Sequence, residues 1–257
     1  MHVGFDASKL DEEASACYGA AFTAAKVAAA LIRPGNTNTQ VTDAMKKVTE
    51  AYGVQSICGT VMHQVKRFVM DGNKMILLRD EPEQKVQACT FEENEVFVVD
   101  IAMTTGQGSP KEKNAKPTVF KRVVERKFAL KVKNSRMFFS EVIKRFPTLP
   151  FSLRYMEDQT AARVGMRECV SRELIVPYPI LYEKAGSTIV HYKFTCMILP
   201  GGNTKITGVD IDLPAGIDTA KWDEALPEDL KALVAAEKEK AAKKAAKKAA
   251  KKAAKKK

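Results

Sequence analysis

The sequence predicts an α+β fold in which long helices cover one face of a largely antiparallel sheet. Three observations carry this. Two helical patterns open the chain, a continuous apolar run spans residues 95–103, and a long strand at residues 187–199 turns back through Pro200-Gly201-Gly202-Asn203.

Taken in order, Ser8 is placed to cap a helix whose first turn holds Asp11, Glu12 and Glu13, where the helix dipole favours acids. Tyr18, Phe22, Ala25, Ala29 and Ile32 then recur at helical spacing, and Pro34-Gly35 ends the run. The other face of that helix is rich in alanine and suits close packing on a sheet. A second helix is predicted from Thr39 or Gln40 to Tyr52, with Val41, Met45 and Val48 on one face. Residues 95–103 read as a strand covered on both sides. Residues 104–116 read as a polar loop, and 118–123 as a strand. Two helices are expected next. One spans 135–145, with Met137, Phe138, Val142 and Phe146 together; the other spans 157–174, with Ala161, Val164, Cys169 and Leu174 inward. The strand at 187–199 should pair with a partner near 205–209.

The 257 residues carry 42 Lys+Arg and 31 Asp+Glu, a formal net charge of +11. From Lys238 onward there are 11 lysines and one acid, Glu239, so residues 1–237 hold 31 basic and 30 acidic side chains. Within that near-neutral body, residues 111–145 hold 12 basic and 3 acidic residues, which leaves the rest acidic. Two cationic segments on an otherwise acidic chain point to polyanion contact at chosen places. No apolar run is expected to reach the ~18–20 residues of a membrane span, and the first residues show no secretory pattern. The five cysteines, Cys17, Cys58, Cys89, Cys169 and Cys196, are widely spaced without a CxxC pair, which fits reduced thiols.

Catalytic signatures are weak. Thr105-Gly106-Gln107-Gly108 lacks the continuation of a dinucleotide cradle, and no Ser or Cys sits in a nucleophile motif. Of three histidines only His63 lies in an informative context. Asp100 ends a buried strand, where a carboxylate is costly without a partner. Lys193 sits in the middle of an apolar strand. Either that strand's alternate face meets solvent, or Lys193 pairs with a buried acid, for which Asp100 is the candidate.

Several blocks resemble the proliferation-associated, ErbB-binding protein family. They are Ile32-Arg33-Pro34-Gly35-Asn36-Thr37-Asn38-Thr39-Gln40-Val41-Thr42, Ser135-Arg136-Met137-Phe138-Phe139-Ser140-Glu141-Val142, and Leu181-Tyr182-Glu183-Lys184 with Tyr192-Lys193-Phe194-Thr195. That family comprises non-peptidase relatives of type 2 methionine aminopeptidase, and the resemblance implies its "pita-bread" fold over roughly residues 13–208. The peptidases hold two metal ions with two Asp, one His and two Glu. By resemblance His63 matches the His, Asp100 the first Glu and Lys193 the second, while Asp71 stands where the peptidases place a substrate-contacting His. The two Asp ligands belong to an earlier strand pair that this sequence does not contain. An ammonium in place of a bridging carboxylate opposes dication binding, so the resemblance implies no metal, no cofactor and no aminopeptidase activity. It also implies either a fragment or truncated product, or a shortened member that leaves a sheet edge and an apolar face uncovered. The expected organisation is a truncated aminopeptidase-like domain at 1–213 with a helical insert at about 118–178, a linker and short helix at 214–237, and a disordered Lys/Ala tail at 238–257.

Candidate RNA contacts are Lys111, Lys113, Lys116, Lys121, Arg122, Arg126, Lys127, Lys131, Lys133 and Arg136, interleaved with Phe120 and Phe128. The alternative is a solvated face whose charges aid solubility. The tail, with Lys243, Lys244, Lys247, Lys248, Lys251 and Lys252 in an Ala-Ala-Lys-Lys repeat, suits sequence-independent phosphate neutralisation. Like charges four apart repel, so the tail alone is expected to be disordered and to become helical on a phosphate surface. The resemblance implies binding to the large ribosomal subunit near the peptide exit, to ribosomal and other structured RNA, and a cytoplasmic and nucleolar location. The rivals are a protein-interaction adaptor or transcriptional co-regulator using an apolar groove, and a metal-dependent aminopeptidase.

Overall fold

The computed structural model describes residues 10–82, 84–113, 115–208, 213 and 216–254. In chain order the elements are α1 (Glu12–Leu31), α2 (Asn38–Tyr52), β1 (Gln55–Ser56), β2 (Val61–Val65), β3 (Met75–Leu77), β4 (Val96–Thr104), β5 (Lys111–Glu112), β6 (Val119–Arg122), α3 (Lys133–Arg145), β7 (Phe151–Ser152), α4 (Gln159–Ser171), β8 (Ile175–Pro177), β9 (Leu181–Tyr182), β10 (Ile189–Leu199), β11 (Gly202–Thr207), α5 (Ala220–Asp223) and α6 (Glu228–Ala254). They form two compact units. The second comprises Arg67–Met70 and Lys111–Tyr182, and the first comprises the remainder.

In the first unit, Asp11 caps α1, its carboxylate accepting the Ala14 amide hydrogen at 2.7 Å. Ser8, the expected cap, lies outside the described residues. The face that α1 buries is the alanine-rich one: Cys17, Ala20, Ala21, Ala24, Val27 and Ala28 are fully covered, while Tyr18 and Phe22 are half-buried. Small side chains let the helix lie close to the sheet, and Gly19 extends this to α2, where an added Cβ would meet the Tyr52 ring at 2.8 Å. With twenty residues, α1 is long and apolar enough by composition to cross a membrane, contrary to the sequence expectation; here most of it is buried as a core helix. Thr37 and Gln40 form a reciprocal capping box at the start of α2, and Gly53, at φ 64°, ends it.

The sheet of this unit runs β11-β10-β4-β2-β3, with β1 also pairing β4, and its pairings are antiparallel. Alternation divides β4. Phe97, Val99, Ile101 and Met103 enter the core with Met45, Val48, Phe194 and Ile198, each burial of that size contributing about 1.5–3 kcal/mol.

The C-terminal segment has helix where a linker and short helix are expected, and departs from the expectation of a disordered tail after residue 237. Leu226, Leu230 and Val234 are buried in the same core, and α6 continues without a break to Ala254. The physical reason is nucleation. Packing fixes the first turns, after which alanine and lysine propagate a helix at little cost. Lys240 pairs with Glu237 and Lys243 with Glu239, both at 2.6 Å, which offsets part of the lysine repulsion.

The second unit has a small sheet, β7-β6-β8, and a pair of strands, β5-β9. Its own core comprises Phe120, Phe138, Val142, Phe151, Cys169, Leu174 and Ile175 among others. The short β5 lies inside the expected polar loop. Helices α3 and α4 meet closely at Gly165, where an added Cβ would lie 2.5 Å from the Asn134 carbonyl oxygen. The inward faces match expectation at Phe138, Val142, Cys169 and Leu174 but not at Met137 and Val164, which are 59% and 48% exposed, whereas Ala162 and Gly165 are buried. Apolar side chains occupy more than one stripe of each helix, so helical periodicity does not choose the stripe. The small residues that permit close approach do.

Candidate functional site

The sheet face of the first unit that points away from α1 and α2 carries the polar residues. On β4 it presents Val96, Val98, Asp100 and Ala102. The register sets Lys193 opposite Asp100, His191 opposite Ala102, and both Thr195 and His63 opposite Val98. The Asp100 side chain is only 12% exposed, and both of its oxygens are engaged: Oδ2 accepts from Lys193 Nζ at 2.6 Å, and Oδ1 is hydrogen-bonded to His191 Nε2. Lys193 and His191 are themselves half exposed. Both readings left open for Lys193 therefore hold together: its strand face meets solvent and its ammonium pairs with Asp100.

Burial is the largest influence on Asp100 and pushes its carboxyl upward. The hydrogen bonds from His191 and Lys193, with their charges, outweigh it and hold the group below its usual range. His191 escaped the sequence analysis, although its position two residues before Lys193 on a strand places both side chains on one face. His63 is half-buried on the neighbouring strand, its Nδ1 3.4 Å from the Gln64 carbonyl oxygen. Asp71 is exposed in the bend between β2 and β3, outside the sheet.

Among the described residues no three His, Cys, Asp or Glu side chains gather as a metal-ligand group. The buried carboxylate on this face, Asp100, is paired with the Lys193 ammonium and the His191 imidazole. That donor set does not fit the two metal ions that the peptidase resemblance brings with it. The buried thiols are equally unsuited to chemistry, since desolvation pushes Cys17 up to about 11 and Cys169 and Cys196 to about 12.

The cationic segment of the second unit is used unevenly. Lys111, Lys113, Lys116, Lys127, Lys131 and Lys133 are exposed, with Lys113 Nζ lying 4.7 Å from the centre of the Tyr182 ring. Lys121 and Arg122 are half-buried on β6, and Arg122 donates to the Pro147 carbonyl at 3.4 Å. Arg126 pairs with Glu173. Arg136 donates to the carbonyls of Leu130 and Lys131, at 3.2 and 2.8 Å. Structural duties thus occupy the arginines, and Lys111, Lys116, Lys127, Lys131 and Lys133 are exposed to solvent. Lys243 is exposed on α6; Lys244, Lys247, Lys248, Lys251 and Lys252 follow on the same helix, with side chains outside the described set.

Four acids of the second unit, Glu141, Asp158, Glu168 and Glu173, are committed internally. Glu168 accepts the amide hydrogens of Lys131 and Val132 at 2.9 and 3.2 Å, Asp158 caps α4, and Glu141 holds Arg145 and the Glu157 amide. Arg163, Arg167 and Arg172 on or just beyond α4 are exposed. They escaped the charge arithmetic because residues 146–182 hold four basic and four acidic residues. Only folding shows that several of those acids are spent on caps and ion pairs.

None of the protein-family models searched matches the chain. It is 45% identical over 186 residues to the ErbB-3 binding protein 1 of Solanum tuberosum, covering 72% of this chain and 48% of that protein. It is 39% identical over 218 residues to the proliferation-associated protein A of Dictyostelium discoideum, covering 84% and 55%. A weaker match, at 26% identity over 168 residues, is to methionine aminopeptidase 2 of Neurospora crassa, covering 61% and 38%. The solved structure of a thermophilic Arx1 superposes with a TM-score of 0.74 at 24% identity, covering 86% of this chain and 63% of that one. The architecture is therefore of the pita-bread type, and the chain spans about half the length of the curated relatives it matches.

Proposed function

Because this chain belongs to the family of ErbB-3 binding and proliferation-associated proteins, we propose that it is a non-catalytic, RNA-binding factor. It associates with the large ribosomal subunit near the peptide exit and acts in ribosome biogenesis or translation control, in the cytoplasm and nucleolus. The observation that carries this reading is the division of charge in the second unit: exposed lysines face solvent while Asp158, Glu168 and Glu173 are consumed by backbone amides and an ion pair. The lysines of α6 supply a second set, sequence-independent in its chemistry because it offers phosphates a row of point charges.

The test is ribosome co-sedimentation against salt. Each phosphate neutralised adds about −0.7 to −0.9 to the log–log slope, so removing residues 238–257 flattens it by several units. An unchanged slope removes the tail from the interface. The non-catalytic part rests on the Lys193–Asp100 pair. Elemental analysis showing two tightly held metal ions, together with release of N-terminal methionine from a peptide, would overturn it.

A protein-adaptor reading is favoured by one feature, the half-buried apolar stretch of the polar sheet face at Val61, Val65, Val96, Val98 and Met197. It gains ground if ribosome association survives the loss of both cationic segments.

A further inference from the structure

The loop between β6 and α3 is fastened to the C-terminal end of α4 at three points. Val123 donates its amide hydrogen to the Leu174 carbonyl at 2.9 Å, Arg126 forms an ion pair with Glu173, and the Arg172 guanidinium lies over the Phe128 ring, 4.5 Å from its centre. Glu173 adopts φ 56°, the left-handed conformation that a residue with a side chain rarely takes. Such backbone persists only where its surroundings over-determine it. The Phe128 ring is nevertheless 43% exposed, and Lys127 and Lys131, on either side of it, are exposed with no ion-pair partner among the described residues. The Phe128 ring is thus open to solvent with a guanidinium over it and exposed lysines nearby in sequence.

Resting on the RNA-binding reading above, we propose that Phe128 and Arg172 form a stacking platform for an unpaired RNA base, with Lys127 and Lys131 at the flanking phosphates. Aromatic rings and guanidinium planes accept any base, because every base offers a π face, and they discriminate single strands from duplexes, whose bases are already stacked. The platform makes the second unit selective for loops, bulges or ends of structured RNA. The lysines alone would bind any phosphate backbone.

The test compares a short oligouridine with a blunt RNA duplex of equal phosphate count, binding the whole chain at one salt concentration. Phe128→Leu keeps the apolar bulk and removes the π face. It should weaken binding of the single strand about tenfold while changing the duplex by less than about twofold. Phe128→Tyr, which restores a ring, should restore the single-strand affinity. The proposal is overturned if Phe128→Leu leaves oligouridine binding intact, or if both RNAs lose affinity equally, which would make Phe128 a fastener of the loop. If the unaltered chain still binds the duplex in either case, the RNA-binding reading stands and only the platform falls. If it binds neither RNA, both fall.

Discussion

The polar face of the main sheet and the cationic surface of the second unit place similar residue types in opposite circumstances. On the sheet, Lys193 and His191 converge on the nearly buried Asp100, so their charges compensate an internal acid. In the second unit Glu141, Asp158, Glu168 and Glu173 serve backbone amides and arginines, and Lys127, Lys131 and Lys133 are left in solvent. Lysine counts by themselves do not separate these cases. A lysine's role is set by whether a carboxylate is held within reach of it.

The comparison makes unequal predictions for the two regions. The largest stability effect should come from Asp100→Ala, which leaves Lys193 and His191 without their shared acceptor. Both are half exposed and relax into water, so the cost is about 1–3 kcal/mol, below that of breaking a fully buried pair, and it is read from chemical unfolding at neutral pH. RNA affinity should not change. The same contact predicts a pH signature. The folded Asp100 is held below its unfolded value of about 3.9, so its contribution is present above that pH and is lost as pH falls through the folded value. The stability gap between the chain and its Asp100→Asn variant should therefore close in acid. A gap that is constant with pH would show that the pairing contributes nothing.

Gly165→Ala tests the second unit's packing. The new Cβ meets the Asn134 backbone at 2.5 Å, which rotamer change does not relieve, while alanine's better helix propensity offsets part of the strain. The net cost should be about 1–2 kcal/mol, measured as a lower unfolding midpoint. The smallest stability effect should come from replacing Lys127, Lys131 and Lys133 together by alanine, within about 0.5 kcal/mol of zero. Here the loss should appear in RNA binding, as a salt slope shallower by about 2 to 3. A triple variant that unfolds early while binding RNA normally would reverse the contrast.

Much of this organisation could be read from local pattern. The acids in the first turn of α1, the Pro34-Gly35 stop after it, and the unbroken apolar run in β4 each act within a few residues of themselves. Asp100 and Lys193 were legible as a pair because each is anomalous in its own strand. His191 was not, since a histidine on a solvent-facing strand position is unremarkable until the register sets it near Asp100. On α3 and α4 the spacing places Phe138, Val142, Cys169 and Leu174 correctly, but Met137 and Val164 fit a helical stripe equally well and are exposed. Arg163, Arg167 and Arg172 were hidden by acids adjacent in sequence but committed elsewhere in space.

The sequence by itself determined the α+β class, the two cationic segments, the reduced cysteines and the likeness to a known family, since all of these are sums or short-range patterns. The tertiary structure decided which charges remain available and where α6 ends, because both depend on contacts between residues far apart in the chain. Val234 against the core turns a like-charged tail into a continued helix, and Glu173 against Arg126 fixes the loop that holds Phe128. Neither partner is marked by its neighbours in sequence.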